Sequence, residues 1–490
     1  MSDFNPFANL PTIPTFRPAF NVGAGLDIPT GAYYLGARGE SILNSGMFHI
    51  VALSGPPNAF KTTIILYLAL IVAERIKRYR ASIYDTEGSL NYHRLNELSA
   101  KLDRMSQINH GDETLSADEV RFIITSSVDI MGEQYFDEIL DLAKNRRSSK
   151  EKKLTTPFLD TKGQPITIYS PMGMIIDSLS EFKVTANEKN ITDKNSLGDS
   201  ENNMYYMRQG IVKKQLMTQL PNLTASSGLY VLMSAHIGDE FDIGGMFAPK
   251  KHKLTHSKAG SKTIGTTKSW EFINNTLYEI FMAKVLTAKD YKQGVHYPIL
   301  DCDKIEGCKD LLLIQMVMTR NKNGPSGAAI DLLISQREGV LPHLSQFHYI
   351  KDGKNFGIIG NDTYYQLQLV PDVTLSRTTV RRIIDTNPSI RRALEFLGEL
   401  LQIKTLWREL PGELMCTPAE LYNGIIEQGY DWATLFKTRG YWVFNEDEDD
   451  ELPYLSTMDL LLMRKGLYRP YWLNDDKKTY NSDYKHLLNQ

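Results

Sequence analysis

From residue 46 onward the chain alternates short, nearly continuous apolar runs with longer amphipathic stretches, the pattern of a parallel sheet covered by helices. MFHIVALS (47–54) predicts a strand, TTIILYLALIVAERIKRYR (62–80) a helix, and ASIYDTE (81–87) the next strand. Further strands are predicted at 121–127, 173–179, 228–236, 276–285, 311–318 and 330–335, and helices at 132–146 and 205–220. TPFLDTKGQPITIYS (156–170) reads as a β-hairpin, because Lys162-Gly163 separates two β-prone runs. The first 45 residues are rich in Pro, Gly, Asn and Phe and carry no sustained period, which predicts an extended arm lying on another surface, such as a second copy. Beyond about residue 350 the pattern changes to short helices with many aromatics and a polar tail. The expected division is an arm (1–45), an α/β core (46–350) and a smaller, mainly helical C-terminal domain (351–490), with no internal repeat.

Composition narrows this picture. With 42% hydrophobic and 23% charged residues, the chain has the proportions of a globular protein rather than a disordered or fibrous one. A formal charge of -3 gives no global attraction to nucleic acid, so any DNA or RNA binding must come from a local basic surface. Three cysteines, Cys302, Cys308 and Cys416, are an odd number without a CxxC pair. They indicate neither a disulfide framework nor a zinc module and suit a reducing, cytosolic setting. The longest apolar run, IILYLALIVA (64–73), is too short to span a bilayer, and MSDFNPFANLPTIPTF lacks a basic start followed by an apolar run. Neither membrane insertion nor secretion is expected. NEDEDDE (445–451) reads as a solvated loop or, alternatively, as a segment that repels or mimics DNA.

The stretch SGPPNAFKTT (54–63) joins the first predicted strand to the first helix, and it matches a phosphate-binding loop, GxxxxGK(S/T), except that Phe60 replaces the second glycine. Such a loop aims backbone N–H groups and a helix N-terminus at anionic oxygens. Gly55 begins the turn, Pro56, Pro57, Asn58, Ala59 and Phe60 continue it, and Lys61 stands at the helix entrance. Thr62, followed by Thr63, is placed to offer a hydroxyl to Mg²⁺ beside ATP. If position 60 requires a positive φ, phenylalanine is strained there. A chance Lys-Thr after a turn reads the same way, so partners elsewhere in the chain decide.

Three such partners follow in order. Asp177 ends GMIID, where a carboxylate holds the water shell of Mg²⁺; its plain alternative is a strand-end cap. Glu87, in YDTEG, ends the strand after the loop helix and would orient or deprotonate the attacking water, unless it is a solvated turn residue. His236 ends GLYVLMSAH, where a polar side chain could sense the γ-phosphate and pass that state to the next loop, unless it is structural.

Taken together, GPPNAFKT, YDTE, IDSL and SAH resemble the RecA superfamily and, within it, phage recombinases of the UvsX type. Those proteins also carry phenylalanine before the loop lysine, a YDxE strand end, an IDSL strand and a histidine sensor. The resemblance covers 46 to about 340 and implies a RecA-like P-loop ATPase core. It further implies that Arg320 and Lys322, in MTRNKNGPSG, complete the ATP site of a neighbouring subunit, although a basic β-turn is the simpler reading. Two DNA-facing loops are implied, 183–203 and 237 to about 267. The second carries Lys250, Lys251, Lys253, Lys258 and Lys262, with no Asp or Glu from 243 to 270, and Met246 and Phe247 would insert between bases or anchor the loop. Phe16-Arg17-Pro18-Ala19 is similar to an FxxA polymerisation peptide. Where the family stacks adenine on a tyrosine, this chain has Arg94, so stacking falls to its guanidinium or to Tyr92.

The function this implies is an ATP-dependent recombinase that forms filaments on single-stranded DNA and exchanges strands with a duplex, in a cytoplasm (the host's, for a phage protein). Mediator or single-strand-binding proteins are possible partners. The alternative is a hexameric helicase of the DnaB type, whose basic motif also precedes NGP(S/T)G; a third reading is a non-catalytic RecA-fold regulator of recombination.

Overall fold

The computed structural model describes residues 17–148, 152–182, 200–225, 227–239, 254–288, 294–305, 307–361, 363–406, 410–445 and 452–481, with backbone only for 200–209. The strand IVALSG, β1 (Ile50–Gly55), has every residue buried. A strand without polar alternation must be covered on both faces, which places it inside a sheet. It is followed by β2 (Arg80–Asp85), β3 (Phe122–Ser126), β4 (Met172–Asp177), β5 (Leu229–Asp239), β6 (Thr276–Val285), β7 (Leu311–Asn321), β8 (Ala329–Ser335) and β9 (Gly339–Val340). Their order is β9-β8-β7-β6-β1-β5-β4-β2-β3, and a short strand at Ser261–Thr263 on β5 completes a ten-stranded sheet. The six strands from β6 to β3 are parallel. β7, β8 and β9 continue the sheet antiparallel.

Alternate residues of these strands meet different helices. Val51, Leu53, Ile83, Ile175 and Leu232 share one core with α1 (Lys61–Arg75) and Leu95 of α2 (Tyr92–Ser99). Ile50, Ala52, Tyr84, Ile176 and Met233 share another with α3 (Gly132–Ser148) and α4 (Ser200–Ala225). This is an α/β architecture with a large, mostly parallel sheet flanked by helices, compatible with a P-loop core. The hairpin predicted at 156–170 forms from Leu154–Leu159 and Pro165–Ile168.

Residues 17–45 differ from the expected arm: they pack into this chain. Phe20 stacks on Trp442 and lies against Tyr230 of β5, both with ring centroids 5.0 Å apart. Trp442 Nε1 donates to Ala19 O (2.8 Å), and Ser41 N donates to Asp459 Oδ1 (2.7 Å). Apolar residues in this segment are too irregularly spaced to show a period, and their partners lie some 400 positions away.

The C-terminal region is built onto the antiparallel side of the sheet. Leu311, Leu313 and Leu333 join a core with α5 (Pro342–Asp352), which contains residue 350, and with α6 (Pro388–Leu406). The region holds more than short helices: α6 has 19 residues, and Ile358–Gly360, Tyr365–Leu367 and Val370–Leu375 form an antiparallel sheet. Two of those strands have three residues each, too few to register as alternation.

Asp459 is fully buried, and burial pushes its carboxyl up to about 7. A carboxyl raised above its unfolded value contributes stability that is complete below the ordinary carboxylate range and is lost as pH rises through about 7. Unfolding free energies from urea titrations across this window should fall with pH by up to ~1.4 kcal/mol per pH unit from this one group. Asp459→Asn should remove that component; identical slopes in the two proteins would count against it.

Candidate active site

The register of the parallel strands brings their carboxyl ends to one edge: Gly55 pairs with His236, Asp85 with Asp177, and Ile176 with Met233. Ligands of open α/β sheets bind outside this edge. Gly55 is closely packed: a Cβ there would meet Ile280 Cβ at 3.1 Å, so a larger residue needs Ile280 to give way by a few tenths of an ångström.

Phe60 occupies the N-cap of α1 with φ 60 and ψ 28, and Asn58 has φ 57. The missing glycine's position does adopt the left-handed conformation, at a cost on the order of 1–2 kcal/mol for a residue with a Cβ. The ring is half-buried against the core around α1, which offsets the strain. Among the described residues no side chain caps this helix, and its first turn has no acidic residue. The first N–H groups of α1 are thereby left for an anion.

Lys61 is 7% exposed and donates to Pro56 O (2.9 Å). Burial lowers its pKa, opposed by the charges of Asp177 and Glu87. Thr62 Oγ1 donates to Asp177 Oδ2 (2.5 Å), and Ser234 Oγ donates to the other carboxylate oxygen. Burial raises the Asp177 pKa against these two hydrogen bonds, and Glu87 and Asp85 add to the rise. Glu87 Oε1 lies 2.9 Å from His236 Nε2 and accepts from Ser178 Oγ (3.3 Å). Asp85 holds the Glu87 turn by accepting the N–H groups of Glu87, Gly88 and Leu90. The side chains of Glu87 and His236 are 41% and 26% exposed, so the pair is open to solvent.

Lys61, Thr62, Asp177, Glu87 and His236 therefore converge. Thr63 faces elsewhere, onto a cavity of about 510 Å³ between α1 and the C-terminal region. Tyr92 accepts the Ile124 N–H (3.2 Å), and Arg94 donates to Glu97 (2.9 Å) and to the carbonyl of Gln336 (2.9 Å), so both hold α2 in place. Arg320 pairs with Leu277, which also pairs with Ala52, three residues or about 10 Å from Gly55 towards the opposite edge. The Nε of Arg320 is buried without a hydrogen-bond partner among the described residues, and Lys322 Nζ donates to Ile273 O (2.8 Å). These two cations do not join this chain's own Lys61 group.

Lys258 and Lys262 are exposed, and Lys262 lies on the short strand opposite Gly238, two residues past His236. The Lys258 N–H donates to Glu279 Oε1 (3.0 Å), which anchors the segment beside β1. Lys250, Lys251, Lys253, Met246, Phe247 and Phe16 lie outside the described residues, as does most of 183–203. Sequence reasoning missed Ser234, Ser178 and Glu279. Ser234 had a usable signal, because it stands two positions from His236 in a strand and so shares its face.

No protein-family model matches the chain, and no curated protein matches it either. Among the described residues, no helix is long and apolar enough to cross a membrane.

At position 60 the backbone angle sets the order of stability. Phe60→Val is expected to lower Tm more than Phe60→Gly, although valine retains more apolar surface, because a β-branched residue is disfavoured at positive φ. Differential scanning fluorimetry of both variants checks this; the reverse order would mean that ring packing dominates.

Proposed function

We propose that this chain is an ATPase of the RecA superfamily, in the UvsX-type recombinase branch, that polymerises on single-stranded DNA and exchanges strands with a homologous duplex. The observation that carries the reading is the contact of Glu87 with His236 (2.9 Å) beside the Thr62–Asp177 pair (2.5 Å), which joins residues from four separate motifs at one sheet edge.

The donor set fits Mg²⁺ and ATP: a hydroxyl next to a half-buried carboxylate, and a buried cation at a helix start without a side-chain cap. When bound, Mg²⁺ supplies neutralisation of phosphate charge. Thr62 and Asp177 would hold it, and Lys61 would turn from the Pro56 carbonyl to phosphate oxygens. Glu87 would orient the attacking water and take its proton. His236, on the strand that leads into the basic segment, would exchange its Glu87 contact according to phosphate occupancy. Arg320 and Lys322 lie too far towards the other edge to serve their own subunit, which supports a role in a neighbour's site. Lys258 and Lys262 belong to the surface proposed to take the DNA backbone.

Glu87→Gln should preserve ATP and DNA binding while lowering phosphate release by about 10²-fold or more; unchanged hydrolysis would remove Glu87 as the base. Alanine at Lys250, Lys251, Lys253, Lys258 and Lys262 together should weaken binding to single-stranded DNA and flatten its salt dependence by about 0.7 in log–log slope per lost contact. An unaltered slope would exclude this segment from the DNA surface. Electron microscopy with single-stranded DNA and a non-hydrolysable ATP analogue should give helical filaments; closed hexameric rings would favour the DnaB-type helicase.

A further inference from the structure

Lys213, midway along α4, is 4% exposed. Its ammonium donates to Leu179 O (3.1 Å), Ser180 O (3.4 Å) and Gly265 O (3.0 Å). Three N–H bonds thus meet three carbonyls, and among the described residues none of these acceptors is a carboxylate. Burying an ammonium in this way is costly where an apolar side chain would pack freely, which argues for a role beyond filling space. Burial lowers its pKa to about 8, so the cation persists at neutral pH.

The three carbonyls belong to two segments with different duties. Leu179 and Ser180 directly follow Asp177, whereas Gly265 closes the segment that returns from the far end of β5. The two backbones touch: Gly265 has φ +67, and a Cβ there would meet Ser180 O at 2.5 Å. Ser180 Oγ accepts the His236 N–H (2.9 Å) and donates to Ile264 O (2.8 Å). Ser178 Oγ donates to Glu87 (3.3 Å), and the Ser178 N–H and carbonyl both bond Thr86 Oγ1, at 2.7 and 2.9 Å. Hydrogen bonds at Ser178 and Ser180, joined by the backbone between them, therefore link Glu87 to the basic segment, and Lys213 clamps the distal end of that link.

We propose that Lys213 is a positioning residue that couples occupancy of the Glu87–Asp177 site to the basic segment containing Lys258 and Lys262. This rests on the ATPase reading above. The clamp makes residues 178–180 and 264–265 one mechanical unit, so a change at Glu87 or His236 reaches the segment through the Ser178 and Ser180 hydroxyls and the backbone that joins them.

The test compares the full chain with Lys213→Met, which keeps the stem and removes the donors, and Lys213→Arg, which keeps a cation and donors. Lys213→Met should retain DNA-independent ATP turnover and affinity for a non-hydrolysable ATP analogue. Its acceleration by oligo-dT should fall about tenfold or more, and Lys213→Arg should restore part of it. Hydrogen–deuterium exchange should show that the analogue protects amides of 262–267 in the parent but not in Lys213→Met. Intact acceleration and protection in Lys213→Met would overturn the proposal, as would parallel loss of turnover, nucleotide affinity and fold that arginine does not rescue. A parent that hydrolyses ATP without responding to oligo-dT would sink the DNA reading alone, and the exchange comparison would then decide the role of Lys213. A parent that does not bind the analogue would overturn both.

Discussion

The half-buried carboxylate of Asp177 is the constraint around which the rest is arranged. A charge at the end of an interior strand needs donors on both oxygens, and these come from Thr62 of α1 and Ser234 of β5. One side chain thereby fixes the rotation of α1 about its axis, the spacing of β4 and β5, and the position of the loop before α1. The sheet gives this interaction its setting. Both faces of β1 are covered, so its end cannot shift without disturbing two cores at once.

The Glu87–His236 pair sits differently. Asp85 spends its carboxylate on three backbone N–H groups of the Glu87 turn, leaving Glu87 itself free to face outward. Rigid backbone below and a solvent-open pair above is the arrangement expected of a group that must respond to a ligand. Asp177, by contrast, is held from two sides and is suited to a fixed role.

Much of this was legible in the sequence because buried parallel strands read as continuous apolar runs. GMIID and GLYVLMSAH announced both the strands and the residues at their ends. Glu87, Asp177 and His236 could be placed at one edge without coordinates, since each terminates such a run. Lys213 could not, because a polar residue on a helix gives no hint that its partner Leu179 lies 34 positions away. Phe60 raised the right question, but only the backbone angle showed that a phenylalanine stands where glycine is the easier choice. The segment 17–45 looked like an arm for the same reason that Lys213 was invisible: its partners, Trp442 and Asp459, are remote in the chain.

That remoteness bears on how the molecule comes into being. Synthesis runs from the N-terminus, so Phe20 and Tyr230 must wait uncovered until Trp442 has left the ribosome. Contacts spanning more than 400 residues carry a high loop-closure entropy and close late. The edge at the carboxyl ends of the parallel strands, assembled from residues 55 to 236, can form well before the opposite end of the sheet is sealed. The newborn chain therefore passes through an interval with an ordered sheet and an open aromatic seam, the stage at which it is most exposed to aggregation or to capture by a chaperone.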